Sequence, residues 1–220
     1  MPLIHAVAHP EGDVPDEGFP TLVALHGYGA HGQDLLGLWP FLAAGRMLML
    51  CPQAPIQIQP GYFGFSWYDF QGPGGQTDPA AINEAIGLID EFLDYALEAY
   101  PVRRDRVALL GFSQGGGMAY RLGFANPERW VGLAALSTGF PADLADEPPS
   151  DAVGQLPILV QHGSQDATAT VEGGRSARDT LRELGLDPDY REYPMGHEVN
   201  AASAGDLSSW LEDVLLDGDG

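Results

Sequence analysis

The sequence predicts an α/β protein with a mostly parallel central sheet and helices on both faces. Three observations carry that expectation. Short apolar runs of strand length alternate with stretches whose apolar residues recur at helical spacing. Gly and Pro are plentiful, 29 and 18 of 220 residues, as many strand-to-helix turns require. Hydrophobic residues make up 45%, enough to bury a core without a metal or disulfide staple. The length fits one domain over residues 1–220.

The elements follow in order. LIHAV near the start reads as an outer antiparallel strand. TLVALHG, 21–27, is a buried strand that stops at Gly27, and RMLMLCPQAP, 46–55, is a second, closed by Pro52 and Pro55. Residues 52–77 hold Gly, Pro and six aromatics from Tyr62 to Phe70, which predicts a lid-like aromatic loop. Asp78-Pro79 opens a helix, with an N-cap followed by Pro at its first position, and Ile82, Ile86, Ile89, Phe92, Leu93 and Leu97 keep helical spacing after it. RVALLGFS, 106–113, is a third strand, and the helix 114–125 follows it until Asn126-Pro127. Further strands are expected at 131–137, 157–166 and, nearer an edge, 189–194. Helices are expected at 172–184, stopped by Gly185, and at 204–216. The stretch 141–156 is acidic and Pro-rich and reads as a surface excursion.

Charge narrows the partners. There are 31 acidic and 10 basic residues, a formal net charge of -21, and every basic residue is Arg. Such a surface repels nucleic acid and anionic membranes, because phosphate binding rests on Lys and Arg. High-salt adaptation and a merely acidic composition both account for the excess, and the sequence leaves the two open. The single Cys51 excludes an internal disulfide, sits in an apolar run, and reads as a small buried hydrophobe. The beginning MPLIHAVAHPEGD has no basic start with a long apolar run, so no signal peptide is expected. No stretch approaches the about 18 apolar residues of a membrane span, so no stable membrane insertion is expected. A cytoplasmic monomer or homodimer acting on a small molecule is the expectation.

The chemistry centres on Gly111-Phe112-Ser113-Gln114-Gly115, a G-x-S-x-G pattern between a strand and a helix. A sharp turn there lifts the Ser113 hydroxyl clear of the sheet, and glycines let the backbone crowd it. A serine hydroxyl needs a base to become a nucleophile. In α/β-hydrolases the order along the chain is Ser, acid, His. Asp166 follows the fifth strand and His197 the sixth, both at the strand ends where such sheets place their sites. His197 is the one histidine after Asp166. Asp166 would accept the Nδ1 proton of His197 and fix its tautomer. Glu198, Asp69 and Asp143 are rival acids, disfavoured by adjacency to the histidine or by position. The expected oxyanion donors are the backbone N–H of Gln114, at a helix N-terminus, and of Tyr28, in the loop after the first long strand. His26 and His162 read as structural histidines. His31 with Asp34 lacks a third ligand, so no metal is expected.

These blocks resemble the phospholipase/carboxylesterase family, which includes acyl-protein thioesterases, over about residues 20–215. LHGYG resembles its oxyanion loop, SWYD a block of its lid region, GFSQGG its nucleophile elbow, and HGSQD with REYPMGHEV its acid and histidine motifs. The resemblance implies an α/β-hydrolase fold and cofactor-free hydrolysis of carboxylic esters, extending in some members to thioesters or lysophospholipids. It departs from the family at Tyr28, where Leu is usual, and at the Ala-Thr-Ala-Thr after Asp166. Small esters are the first expectation, and longer acyl thioesters or lysophospholipids the alternative. Phe65, Trp67 and Tyr68 are the expected acyl-binding wall.

Overall fold

The computed structural model of the protein describes residues 2–71, 76–146 and 148–216. Seven strands build its main sheet. They are β1 (His5–Ala8), β2 (Phe19–Leu25), β3 (Leu48–Pro52), β8 (Val102–Phe112), β9 (Gly132–Leu136), β10 (Ile158–Gly163) and β11 (Asp189–Tyr193). The spatial order is β1-β3-β2-β8-β9-β10-β11. Only β1 runs antiparallel, with Ala6 opposite Cys51, and it forms one edge of the sheet. β11 forms the other edge and is mostly half-buried, with Tyr193 alone of its residues buried.

Among the described residues four α-helices divide between the two faces because residues in each strand alternate sides. In β2, Val23 and Leu25 join one core cluster with Ile89, Phe92 and Leu93 of α1 (Pro79–Ala99) and Met118 and Leu122 of α2 (Gln114–Ala125). Leu181 of α3 (Val171–Glu183) lies in the same cluster. Leu22 and Ala24 point the other way, into a cluster with Leu207, Trp210 and Leu211 of α4 (Ala201–Leu211). Phe92 is fully buried, so truncating it to Ala would cost about 3–5 kcal/mol.

Several boundaries shift from the sequence expectation, each for a local reason. β8 begins at Val102, ahead of the apolar run, because its charged start is held by Arg103 pairing with Glu17 and Asp105. Asp78 caps α1 through its side chain, which accepts from the Ala80 N–H at 2.9 Å. α4 begins at Ala201 rather than 204 because Asn200 and Ser203 form a reciprocal capping box, and a π-helical turn, Glu212–Leu216, continues it. The segment 52–77 is partly ordered by two short antiparallel pairs, β4 (Ile56–Gln57) with β5 (Phe65–Ser66) and β6 (Phe70–Gln71) with β7 (Gln76–Thr77). Residues 72–75 of that segment and the tail 217–220 lie outside the described residues.

Candidate active site

The parallel strands all end at one rim, and the candidate residues collect there. Ser113 follows β8 directly and precedes α2. Its backbone has φ 54° and ψ -118°, a conformation that L-residues with a Cβ rarely adopt. Neighbouring backbone holds it there. The Ser113 N–H donates to the Leu136 carbonyl at 2.9 Å, and its own carbonyl accepts from Gly116 N–H at 2.9 Å. The tight turn explains the flanking glycines. A Cβ at Gly111 would collide with the Gly115 carbonyl, and one at Gly115 with the carbonyl oxygens of Leu25 and His26.

From this elbow a hydrogen-bonded relay runs back to β10. The Ser113 hydroxyl lies 3.0 Å from His197 Nε2. His197 Nδ1 lies 2.7 Å from Asp166 Oδ2. Asp166 is buried, and its other oxygen accepts the N–H groups of Thr168 and Ala169 at 2.8 and 2.9 Å. Burial alone would raise this carboxyl. The hydrogen bonds from His197, Ala169 and Thr168 outweigh that effect and hold it below the usual carboxylate range. An ionised Asp166 is an acceptor, so His197 carries its proton on Nδ1, and Nε2 is left to accept from Ser113. Phe112 packs its ring 4.8 Å from the imidazole.

Two of the rival acids are engaged elsewhere. Asp69 accepts from the Ser66 hydroxyl, and Asp143 pairs with Arg121. Glu198 borders a separate cavity beside His197. His162 lies fully buried behind Asp166, its Nε2 donating to the Ala169 carbonyl at 2.7 Å. His26 is also buried. Its Nε2 accepts from Ala54 N–H at 3.0 Å, so the Nδ1–H donates to the Gly27 carbonyl. Desolvation lowers the His26 pKa from 6.5, against opposing contributions from the Gly27 carbonyl and Asp34. His31 and Asp34 contact each other at 3.3 Å, and among the described residues no three metal-ligating side chains converge.

Tyr28 and Gln114 border the same cavity as Ser113 and His197. Gln114 is the first residue of α2, where a backbone N–H has no intrahelical acceptor. Its side chain does something the sequence did not disclose. The amide oxygen accepts from Trp67 N–H at 3.0 Å, and the amide nitrogen donates to the Tyr68 carbonyl at 2.7 Å. Trp67 is buried and donates its indole N–H to the His26 carbonyl at 2.9 Å. Phe65 exchanges backbone hydrogen bonds with Gly29 and Ala30, both 2.9 Å. Phe65 and Trp67 therefore brace the 26–30 loop against the elbow. Tyr68 alone of the three borders the cavity.

The cavity has a volume of about 490 Å³. Its walls also include Ser137, Thr138, Thr168 of the Ala-Thr-Ala-Thr stretch, and Arg121, which the sequence did not single out. Arg121 reaches it from α2, donating to the Gly117 carbonyl and to Asp143. Among the described residues its buried Nε has no hydrogen-bond partner, and neither does the Ser137 Oγ. Burial raises the Tyr68 pKa, with Arg121 lowering and Asp143 raising it, so that side chain presents a neutral hydroxyl. Arg121 was findable, because positions 117 and 121 stand four and eight residues beyond Ser113 and share its helix face.

The chain is also similar to known proteins. The chain is similar to acyl-protein thioesterase 1 of Mycosarcoma maydis, with 29% identity over 89% of this chain and 91% of that protein. It is similar to carboxylesterase SOBER1 of Arabidopsis thaliana, with 26% identity over 73% of each. The crystal structure of esterase PE8 superposes with a TM-score of 0.82 at 26% identity, covering 98% of this chain and all of that one, 100%. A model of the phospholipase/carboxylesterase family matches residues 12–215. The chain belongs to the phospholipase/carboxylesterase family of α/β-hydrolases, enzymes that hydrolyse esters.

Proposed function

We propose that the protein is a serine carboxylesterase that hydrolyses small carboxylic esters with short to medium acyl chains. The observation that carries the reading is the continuous relay from Ser113 Oγ through His197 to Asp166, with contacts of 3.0 and 2.7 Å. In the first step Ser113 Oγ attacks the ester carbonyl while its proton passes to His197 Nε2. Negative charge gathers on the former carbonyl oxygen and is stabilised by the N–H groups of Tyr28 and Gln114, each worth about 3 kcal/mol in such sites. The intermediate collapses, the C–O bond to the alcohol breaks, and His197 returns the proton to the departing alkoxide. Water then attacks the acyl-enzyme with His197 again as base, which releases the carboxylic acid and restores the Ser113 hydroxyl. No cofactor enters this scheme.

The alternative is a thioesterase or lysophospholipase for long acyl chains, supported by relatives bearing thioesterase names. The walls of the cavity argue for the small-ester reading. No Leu, Ile, Val, Met or Phe side chain lines it among the described residues, whereas long alkyl chains call for such walls. A series of p-nitrophenyl esters tests the choice. Acetate and butyrate should turn over, with rates falling beyond about eight carbons and largely lost in Ser113→Ala. A steady rise to palmitate would favour the alternative, and an unaffected Ser113→Ala variant would remove Ser113 from the mechanism.

Among the described residues no helix is long and apolar enough to cross a membrane. With one cysteine and a net charge of -21, the reading is completed by a cytoplasmic enzyme of one domain. Its partner is a small-molecule ester rather than nucleic acid or a lipid surface.

A further inference from the structure

Two cavities meet at His197, and their walls differ in kind. The smaller, about 300 Å³, is bordered by Leu35, Leu38, Phe112 and Val199 together with His26, Asp34, His197 and Glu198. The larger contains Ser113 and is bordered by Tyr68, Arg121, Ser137, Thr138 and Thr168, with Pro141 and Ala169 its apolar patches. The aliphatic side chains at this rim therefore border the smaller cavity, and the nucleophile stands in the other.

We infer that the wall formed by Tyr68, Arg121 and Thr138 is a specificity subsite for a neutral hydrogen-bonding group on the substrate, such as an amide or ester carbonyl a few atoms from the scissile bond. The inference rests on the serine-esterase reading and adds the class of substrate to it.

The placement follows from the helix. Gly117 and Arg121 share the face of α2 that begins at Ser113, so the wall rises directly beside the nucleophile. Gly117 leaves that space open. A Cβ there would stand 3.7 Å from Arg121 Nη1 and 3.8 Å from the Tyr68 hydroxyl oxygen, so both polar atoms border the gap. An alkyl chain laid against these groups would return no hydrogen bond. A site built of donors rejects an analogue that lacks the acceptor far more strongly than an apolar pocket rejects a shorter chain.

Charge decides between a neutral and an anionic group. Arg121 is the cation of this wall, and Asp143 already pairs with it. A substrate carboxylate would lie close to Asp143, on a chain of net charge -21. A neutral acceptor takes a hydrogen bond from the guanidinium without breaking the ion pair or adding repulsion.

The test compares p-nitrophenyl esters of matched length: hexanoate, N-acetyl-β-alaninate and hemiglutarate. The N-acetyl-β-alaninate should exceed hexanoate in kcat/KM by about tenfold, the worth of one hydrogen bond to a charged donor. Hemiglutarate should be the slowest. Arg121→Met should bring the first ratio close to unity, and Tyr68→Phe should reduce it, so the result does not depend on one variant folding. Asp143→Asn should raise hemiglutarate relative to the other two. Hexanoate as the best substrate, hemiglutarate as the best, or a ratio unmoved by both wall variants would overturn the subsite. If none of the three esters shows Ser113-dependent hydrolysis, the esterase reading itself fails and the subsite with it. That outcome is distinct from active hydrolysis with the wrong order.

Discussion

Replacing Asp166 by Asn probes the relay at one atom. The carboxylate has two engaged sides: Oδ1 accepts from Thr168 and Ala169 N–H, and Oδ2 faces His197 Nδ1. An Asn side chain must turn its oxygen to those two backbone donors, because facing them with NH2 would bury two clashing donors. Its NH2 then points at His197 and donates to Nδ1. The imidazole proton is driven onto Nε2, 3.0 Å from the Ser113 oxygen. A protonated Nε2 cannot accept the serine proton, and the imidazolium formed later loses its counter-charge. In Ser-His-Asp sites the same exchange lowers kcat about ten-thousandfold, or about 5.5 kcal/mol of transition-state stabilisation. The shape of the side chain is kept, so KM for p-nitrophenyl acetate should move little. The assay is steady-state hydrolysis of that ester, with circular dichroism melting to verify the fold. A folded Asp166→Asn enzyme retaining more than about a tenth of wild-type kcat would refute the tautomer argument.

Other consequences follow from the same structure. Gly115→Ala places a Cβ against the Leu25 and His26 carbonyl oxygens, so urea unfolding should show a loss of about 3 kcal/mol, the upper end for overpacking; an unchanged midpoint would contradict the close approach. Burial lowers the His26 pKa from 6.5, so the unfolded chain takes up a proton there before the folded one does. Stability should therefore fall as pH drops from about 6.5 towards the lowered folded value, and His26→Gln should flatten that part of a Tm-against-pH plot; identical plots would count against it. With a net charge of -21, raising NaCl from about 0.1 to about 1 M shortens the screening length from about 10 to about 3 Å and should raise Tm; a steady fall would contradict self-repulsion as a stability cost.

Much of this was legible before any coordinates. The strand ends at Ser113, Asp166 and His197 are marked by apolar runs that stop at polar, glycine-containing turns, and the order of the three residues restricts which can meet. The cap at Asp78 is equally local, since Asp before Pro has few other uses. The aromatic segment was less legible. Phe65, Trp67 and Tyr68 look alike in sequence whether they face a cavity or pack beneath it. What separates them is a tertiary choice, the Gln114 side chain clamping Trp67 and Tyr68, and strand-like pairing of Phe65 with Ala30. Arg121 was missed for a different reason. Helical spacing from Ser113 points to it, but a lone arginine on an acidic chain reads first as a surface charge. The stretch 141–156 reads in sequence as an excursion, yet Pro141 borders the cavity and Asp143 reaches back to Arg121.

The central claim is that one alcohol oxygen at this rim is made nucleophilic by its neighbours. A fluorophosphonate probe, followed by peptide mapping in the mass spectrometer, tests it directly. The account predicts a single stoichiometric adduct on Ser113 that is strongly slowed in His197→Ala and absent in Ser113→Ala. No adduct on a folded protein, or an adduct on a different residue, would contradict it.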